Sequence, residues 1–268
     1  MTRSTPSLGT AVVTGASSGL GRVYADRLAK RGHDLLLIAR RGDRLEAAAK
    51  ELRAAYGVEV KTLVADLGNP AELSKVVQAL SSDARITMLV NNAGLATLAP
   101  VAATTQAQAA SMIGVNIGAL TALALAVLPG FKARDHGTIV NIGSILGFAT
   151  LPTSSIYSGT KGFVMHFTRG LRDELAGTQV RVQLVAPATT ATEIWELAGV
   201  PLSNLKEGTV MRAEDCVDAA LAGLDAGEAV TLPSVEDTGP LASYDSSRMT
   251  LLGSGQRSTP ASRYAVGR

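Results

Sequence analysis

A single cysteine, Cys216, stands among 268 residues. It can form neither an internal disulfide nor a multi-cysteine metal centre, and a small buried core residue is the simplest expectation for it. Histidine is almost as scarce: His33, His136 and His166 are scattered without ligand spacing, so no metal site is expected and all three read as structural or surface residues. An excess of charge is missing too. Lys+Arg 25 against Asp+Glu 23 leaves a formal charge of +2, too weak a field to suggest a nucleic-acid partner. No apolar run reaches the roughly 18–20 residues of a membrane span. The opening MTRSTPSLGTAVV lacks a basic segment followed by an apolar stretch, so no secretory signal is read there. Together these absences predict a soluble, cytoplasmic protein with neither nucleic acid nor membrane as partner. At 46% hydrophobic and 18% charged residues the chain is not intrinsically disordered, and its length suits one large domain.

What is present is an alternation. Short apolar runs at Thr10–Thr14, Asp34–Ala39, Val58–Ala65, Ile86–Val90, Thr138–Ile142 and Val180–Ala186 are β-rich and rarely alternate polar with apolar, as strands buried on both faces do. Helical patterns lie between them at Gly19–Arg31, Arg44–Tyr56 and Ala71–Ser81, the last opened by Asn69 as a cap and Pro70 in the first turn. Two longer helices are expected over about 104–134, broken near Pro129, and about 154–176. The first is rich in alanine and small residues, which suits close packing against the sheet or another subunit. The predicted fold is α/β: a single-domain, Rossmann-like, doubly wound parallel sheet with helices on both faces, over residues 1–238. Residues 239–268 are expected to be a C-terminal extension, partly helical with an apolar patch at Met249–Leu252 and then extended.

Directly after the first strand comes Thr14-Gly15-Ala16-Ser17-Ser18-Gly19-Leu20-Gly21, opening a helix. Glycines there let backbone N–H groups approach a pyrophosphate at a helix N-terminus, although a tight strand-to-helix turn alone would also use them. The spacing is G-x3-G-x-G rather than the common G-x-G-x-x-G. The second strand ends in Ala39-Arg40-Arg41 with no carboxylate to grip a ribose 2′-hydroxyl. A guanidinium pairs with a 2′-phosphate through two charge-assisted bonds, so Arg40 favours NADP(H) over NAD(H), the alternative being a solvated strand-end arginine. Asp43 sits too far into the loop to hold the ribose.

Tyr157 and Lys161, in Tyr157-Ser158-Gly159-Thr160-Lys161, stand at i and i+4 on one helix face. A free phenol has a pKa near 10, and a cation beside it favours the phenolate. Ser144, in Asn141-Ile142-Gly143-Ser144, lies just past a strand's C-terminal end, the edge where open α/β sheets gather ligands.

Taken in order, TGASSGLG at 14–21, Asp66-Leu67, NNAG at 91–94, Asn116, Ser144 and YSGTK at 157–161 resemble the short-chain dehydrogenase/reductase (SDR) family over most of residues 9–235. The resemblance implies a catalytic tetrad of Asn116, Ser144, Tyr157 and Lys161. Tyr157 would give and take the proton, Ser144 would hold the substrate oxygen, and Lys161 would bind the nicotinamide ribose and lower the Tyr157 pKa. Asn116 would hold Lys161 through a water. NADP(H) would contact Gly15, Ser17, Ser18, Gly19, Leu20, Gly21, Arg40, Asp66, Leu67, Asn92, Ala93, Gly94, Tyr157, Lys161, Pro187, Thr190 and Thr192. Read without the resemblance, Asp66 serves equally as a helix cap and Asn92-Ala93-Gly94 as a strand-ending turn. The family's Pro-Gly after the sixth strand is Pro187-Ala188 here.

The chemistry implied is reversible hydride transfer between NADP(H) and a ketone or secondary alcohol, as a carbonyl reductase or alcohol dehydrogenase. Residues 189–210, with Ile194, Trp195, Leu197, Val200, Pro201 and Leu202, form the expected substrate loop and suggest a medium-sized, largely apolar substrate. A 3-oxoacyl-thioester reductase is the alternative, weakened by Leu95-Ala96-Thr97 where such reductases carry Thr-Arg-Asp after NNAG. A non-catalytic NADP-binding sensor is a third reading. The family also implies a homodimer or homotetramer.

Overall fold

The computed structural model describes residues 7–264. The chain divides into two compact units, 1–234 and 235–268. The first holds a seven-stranded, all-parallel sheet in the order β3-β2-β1-β4-β5-β6-β7. The strands are β1 (Thr10–Thr14), β2 (Asp34–Ala39), β3 (Val60–Val64), β4 (Ile86–Asn91), β5 (Gly137–Ile142), β6 (Val180–Val185) and β7 (Val230–Thr231). The order reverses between β1 and β4, and a cleft forms outside the carboxyl ends of strands at such a switch point.

The absence of alternation in the strands has the expected cause. In β1, Ala11 and Val13 pack on one face with Tyr24, Leu28, Leu45, Leu52 and Val217, while Val12 packs on the other with Val76, Leu80, Leu123, Val127 and Phe131. The first face is covered by α1 (Gly19–Arg31), α2 (Gly42–Tyr56) and α8 (Ala213–Asp225). The second is covered by α3 (Pro70–Ser82), α5 (Leu120–Ala133) and α6 (Ser155–Glu174). Helix α3 begins where the sequence places it: the Asn69 side chain accepts from the Ala71 and Glu72 N–H groups, and Pro70 follows in the first turn.

Three features depart from the expectations. The long helical segment does not break near Pro129. It runs from α4 (Gln106–Ile113) through a π-helical stretch, Gly114–Ala119, into α5, with Pro129 inside α5. Proline there removes the helical bond to the carbonyl of Leu125, an exposed residue, and the helix nevertheless continues to Ala133. The joined helix, Gln106–Ala133, is long and apolar enough by composition to cross a membrane, which no run of the sequence alone suggested. Leu120, Leu123, Ala124, Val127 and Phe131 are buried in the protein core. Finally, α8 and the two-residue β7 lie outside the predicted elements, and β7, paired with β6, adds a seventh strand to the six predicted.

The loop between β6 and α8 carries two short helical pieces, α7 (Ile194–Leu197) and a 3₁₀ turn at Leu202–Asn204. The second unit contains α9 (Gly239–Ser254), in which Met249, Leu251 and Leu252 are exposed, and a 3₁₀ turn at Ser262–Tyr264.

Candidate active site

The ends of β1, β2, β3, β4, β5 and β6 open on one cleft of about 610 Å³. Every residue predicted to touch a dinucleotide lines it except Gly21, which lies beneath the loop; Ser144, Tyr157 and Lys161 line it too, while Asn116 is buried behind. Gly15 takes a left-handed φ of 67°, and a Cβ on it would stand 2.8 Å from Asn92 Nδ2. A Cβ on Gly21 would come within 2.4 Å of the Gly15 carbonyl oxygen, so α1 can start this close to β1 only with glycine there. Ser18, the residue before α1, makes no side-chain cap, and the first turn holds no acidic residue. The helix therefore presents uncapped N–H groups and the positive end of its dipole, a fit for a pyrophosphate.

The NNAG segment is strapped to this loop. Thr14 Oγ1 accepts from the N–H groups of Asn92 (3.0 Å) and Ala93 (2.9 Å), and Asn92 Nδ2 donates to the Thr14 carbonyl at 2.8 Å. Beneath it, Asn91 and Asn141 face each other in register across β4 and β5. Asn91 Nδ2 donates to Asn141 Oδ1 and the Leu120 carbonyl, and Asn141 Nδ2 donates to Thr168 Oγ1 on α6. This buried chain ties β4, β5, α5 and α6 together, and it fixes α6 over the sheet edge.

The π-helical stretch turns Asn116 inward, where it is 1% exposed. Its Oδ1 accepts from the Leu95 N–H at 2.8 Å, and its Nδ2 donates to the Leu95 carbonyl (2.9 Å) and to Thr160 Oγ1 (3.0 Å). Asn116 thus clamps the chain just after NNAG to the turn of α6 that carries Lys161. Lys161 Nζ itself donates to the Ile142 carbonyl at 2.8 Å, at the end of β5. Nζ lies 5.7 Å from the Tyr157 ring centroid.

Ser144 caps the 3₁₀ turn Ile145–Gly147, its Oγ accepting from Leu146 N–H at 3.1 Å. It also hydrogen-bonds Tyr157, which lowers the phenol pKa, but burial outweighs that bond and pushes Tyr157 up to about 12. Burial likewise pushes the Lys161 ammonium down to about 8. Burial thus shifts both groups toward their neutral forms.

Around the roof, Pro187 is buried and Ala188 stays out of the left-handed region, so alanine in place of the family's glycine is unstrained. Thr190 is buried, and its carbonyl accepts from Trp195 Nε1 at 2.8 Å. Thr192 packs over Gly19. At the opposite end, Asp66 Oδ1 accepts from Gly68 N–H, a turn cap that leaves it lining the cleft. Arg40 is exposed at the rim. The sequence reading missed its neighbour: Arg41 Nη2 donates to Ser18 Oγ at 2.7 Å and Ser17 Oγ at 3.3 Å, and Nη1 reaches Glu193. The paired Arg40-Arg41 was the only sequence signal. Among the described residues no group of three or more His, Cys, Asp or Glu is placed to hold a metal ion.

Comparison with known proteins agrees with this geometry. A family model described as short chain dehydrogenase matches residues 9–199. A short-chain dehydrogenase from Sphingobium yanoikuyae, solved in complex with NADPH, is 44% identical, with a TM-score of 0.93 over 96% of this chain and 100% of that one. The bulky-bulky ketone specific alcohol dehydrogenase from Comamonas testosteroni is 35% identical, with a TM-score of 0.89 over 97% of this chain and 100% of that one. Very-long-chain 3-oxoacyl-CoA reductase of Anas platyrhynchos is 36% identical over 213 residues, 78% of this chain and 68% of its own length. Against the two Danio rerio forms of that reductase, the chain spans only 61% and 60% of their lengths. A family match across most of the sheet, joined to a near-complete structural superposition on a 44% identical member, fixes the assignment: the chain belongs to the short-chain dehydrogenase family of nicotinamide-dependent oxidoreductases.

Proposed function

We propose that the protein is an NADP(H)-dependent carbonyl reductase and alcohol dehydrogenase for a medium-sized, largely apolar ketone or secondary alcohol. The observation that carries this reading is the division of charge along the cleft. Its charged lining residues are Arg40, Arg41, Asp66, Glu193 and Lys161. Apart from Lys161, none belongs to the wall around Ser144 and Tyr157, where Leu95, Leu98, Ile145, Leu146, Leu151 and Trp195 leave a substrate carboxylate or sulfonate without a partner.

The uncapped turn of α1 would hold the cofactor's pyrophosphate, Asp66 and Asn92-Ala93-Gly94 its adenosine, the arginines after β2 its 2′-phosphate, and Thr190 and Thr192 its carboxamide end. When bound, the nicotinamide supplies or accepts the hydride. The chain's own task is the proton. With its phenol pushed up to about 12, Tyr157 stands protonated at neutral pH and can donate to the carbonyl oxygen as that oxygen gains charge. Ser144, already bonded to Tyr157, polarises the same oxygen. Charged Lys161 favours loss of that proton, and in the oxidising direction Tyr157 takes a proton back. A homo-oligomer belongs to the same proposal, supported by the exposed apolar Ile113, Leu125 and Phe163 on the long helices.

A 3-oxoacyl-thioester substrate is the second reading, favoured by the relatedness to 3-oxoacyl-CoA reductases and compatible with an apolar wall. The test measures NADPH and NADH binding, then NADPH oxidation against aliphatic, aryl and cyclic ketones and a 3-oxoacyl thioester, for wild type and Tyr157→Phe. Tighter NADPH binding is expected, with ketone turnover that falls by about 10²–10⁴-fold in the variant while binding survives. Turnover confined to the thioester selects the second reading. Binding without turnover on any carbonyl makes the protein a sensor.

A further inference from the structure

The substrate loop is pinned to the adenosine end of the cleft by one carboxylate. At the loop's neck, Ala191 N–H donates to the Met211 carbonyl at 2.8 Å and Met211 N–H donates to the Thr189 carbonyl at 2.9 Å, a short parallel bridge. From there the chain passes over the glycine-rich loop, where Thr192 Cγ2 stands 3.2 Å from the position of a Gly19 Cβ. Glu193 then reaches the turn after β2. Its Oε2 accepts from Arg41 Nη1 and its Oε1 from Arg44 Nη1, both at 2.7 Å. Arg41 holds Ser17 and Ser18 with its other arm.

The stability these contacts add is small, because Arg41, Arg44 and Glu193 keep 39%, 48% and 41% of their side-chain surface in solvent. Their chemistry is more specific. The two guanidiniums hold the carboxyl below its ordinary pKa, so it is ionised at neutral pH. They present the forked donors that a phosphate also takes, beside Arg40 on the same rim.

We propose that Glu193 is a specificity-determining residue whose carboxylate competes with a ribose 2′-phosphate for Arg41 and Arg44, so that a dinucleotide carrying that phosphate frees the first turn of the substrate loop and one lacking it does not. The inference rests on the NADP(H) reading above. A phosphate brings more negative charge and one more acceptor oxygen than a carboxylate, so it displaces Glu193 rather than the reverse. The coupling is reciprocal: whatever Glu193 subtracts from phosphate affinity, the phosphate subtracts from Glu193's hold on the loop.

Trp195, the only tryptophan in the chain, lies two residues beyond Glu193 and reports on the same turn. The experiment titrates 2′,5′-ADP and 5′-AMP, which carry the adenosine end alone, into wild type and Glu193→Gln by calorimetry while following Trp195 emission. In wild type, 2′,5′-ADP is expected to bind at least about tenfold tighter than AMP and to shift the emission, whereas AMP leaves it unchanged. Glu193→Gln should tighten 2′,5′-ADP by about five- to tenfold, leave AMP within about twofold, and show before titration the emission that wild type reaches only with 2′,5′-ADP. Unchanged or weaker 2′,5′-ADP binding in the variant, in a wild type that discriminates, overturns the competition and leaves NADP(H) preference standing. Equal binding of 2′,5′-ADP and AMP by wild type overturns both.

Discussion

The floor and the roof of the cleft are built by different means. On the floor, Ser144, Tyr157, Lys161 and Asn116 sit on or beside regular elements; Lys161 is bonded to the Ile142 carbonyl and Asn116 to both backbone polar groups of Leu95, while beneath them the Asn141 side chain donates to Thr168 Oγ1. The roof, from Thr189 to about 210, hangs from the bridge to Met211, from Trp195 Nε1 on the Thr190 carbonyl, and from a half-exposed ion pair at Glu193. A proton relay needs fixed distances, so it belongs on a scaffold where movement strands buried polar groups. A surface that admits and releases substrate needs contacts that open cheaply. On the proposed function, chemistry lies below and selectivity above.

If that contrast is right, cutting a floor contact damages turnover and stability together. Asn116→Ala leaves the Leu95 N–H, the Leu95 carbonyl and Thr160 Oγ1 without their partner in a site that is almost wholly buried. A loss of about 2–3 kcal/mol is expected, seen as a Tm drop of about 5–10 °C for a domain this size. Ketone turnover should fall about 10²-fold as α6 shifts over the cofactor groove. A variant that keeps its Tm and loses only turnover would break the comparison, because the floor would then not be a single packed unit.

How far each region was legible in the sequence follows the same division. Gly15, Gly19 and Gly21 announce the phosphate turn because their spacing encodes local backbone geometry. Tyr157 and Lys161 announce themselves through helix period, and Ser144 through its place at a strand end. Asn116 was located by resemblance, but its clamp on Leu95 was not foreseen, since a π-helical stretch such as Gly114–Ala119 leaves no periodic mark. The buried Asn91–Asn141–Thr168 chain depends on register across β4 and β5, which no window of residues contains. Arg41 lost to Arg40 because the direction of each side chain is set by the turn that opens α2, where Arg41 is the extended residue before the helix. Its partner Glu193 lies 152 residues away, beyond any local pattern. Short β7 carries too few residues for a periodicity to register.

Roof contacts should separate binding from chemistry. Trp195→Phe keeps an aromatic ring and removes the Nε1 donation to Thr190. One neutral hydrogen bond is worth about 1 kcal/mol, so KM for ketone should rise about fivefold while kcat stays within about twofold and Tm within about 2 °C. A fall in kcat as large as that of Asn116→Ala would make the roof part of the proton machinery and erase the distinction drawn above.

The smallest effect is expected where the scaffold is tied far from the cleft. Arg27 on α1 makes a two-bond fork to Asp218 on α8, Nε to Oδ1 at 2.7 Å and Nη2 to Oδ2 at 3.1 Å. The pair holds the Asp218 carboxyl below its ordinary pKa, but more than half of that side chain faces solvent. Screening leaves such a pair about 0–1 kcal/mol. Because the folded-state pKa is depressed, the contribution is present above the carboxyl's unfolded value near 3.9 and disappears as pH falls through the lower folded value. Asp218→Asn should therefore lower Tm by no more than about 3 °C at pH 7, and the gap to wild type should close as pH drops below about 4. Turnover should stay within twofold throughout, because α1 and α8 pack on the sheet through Tyr24, Leu28, Val217 and Leu221 rather than through the ion pair. A larger loss of turnover would mean that the phosphate-binding end of α1 takes its position from Asp218, and that the floor's rigidity comes from charge at the surface instead of packing beneath it.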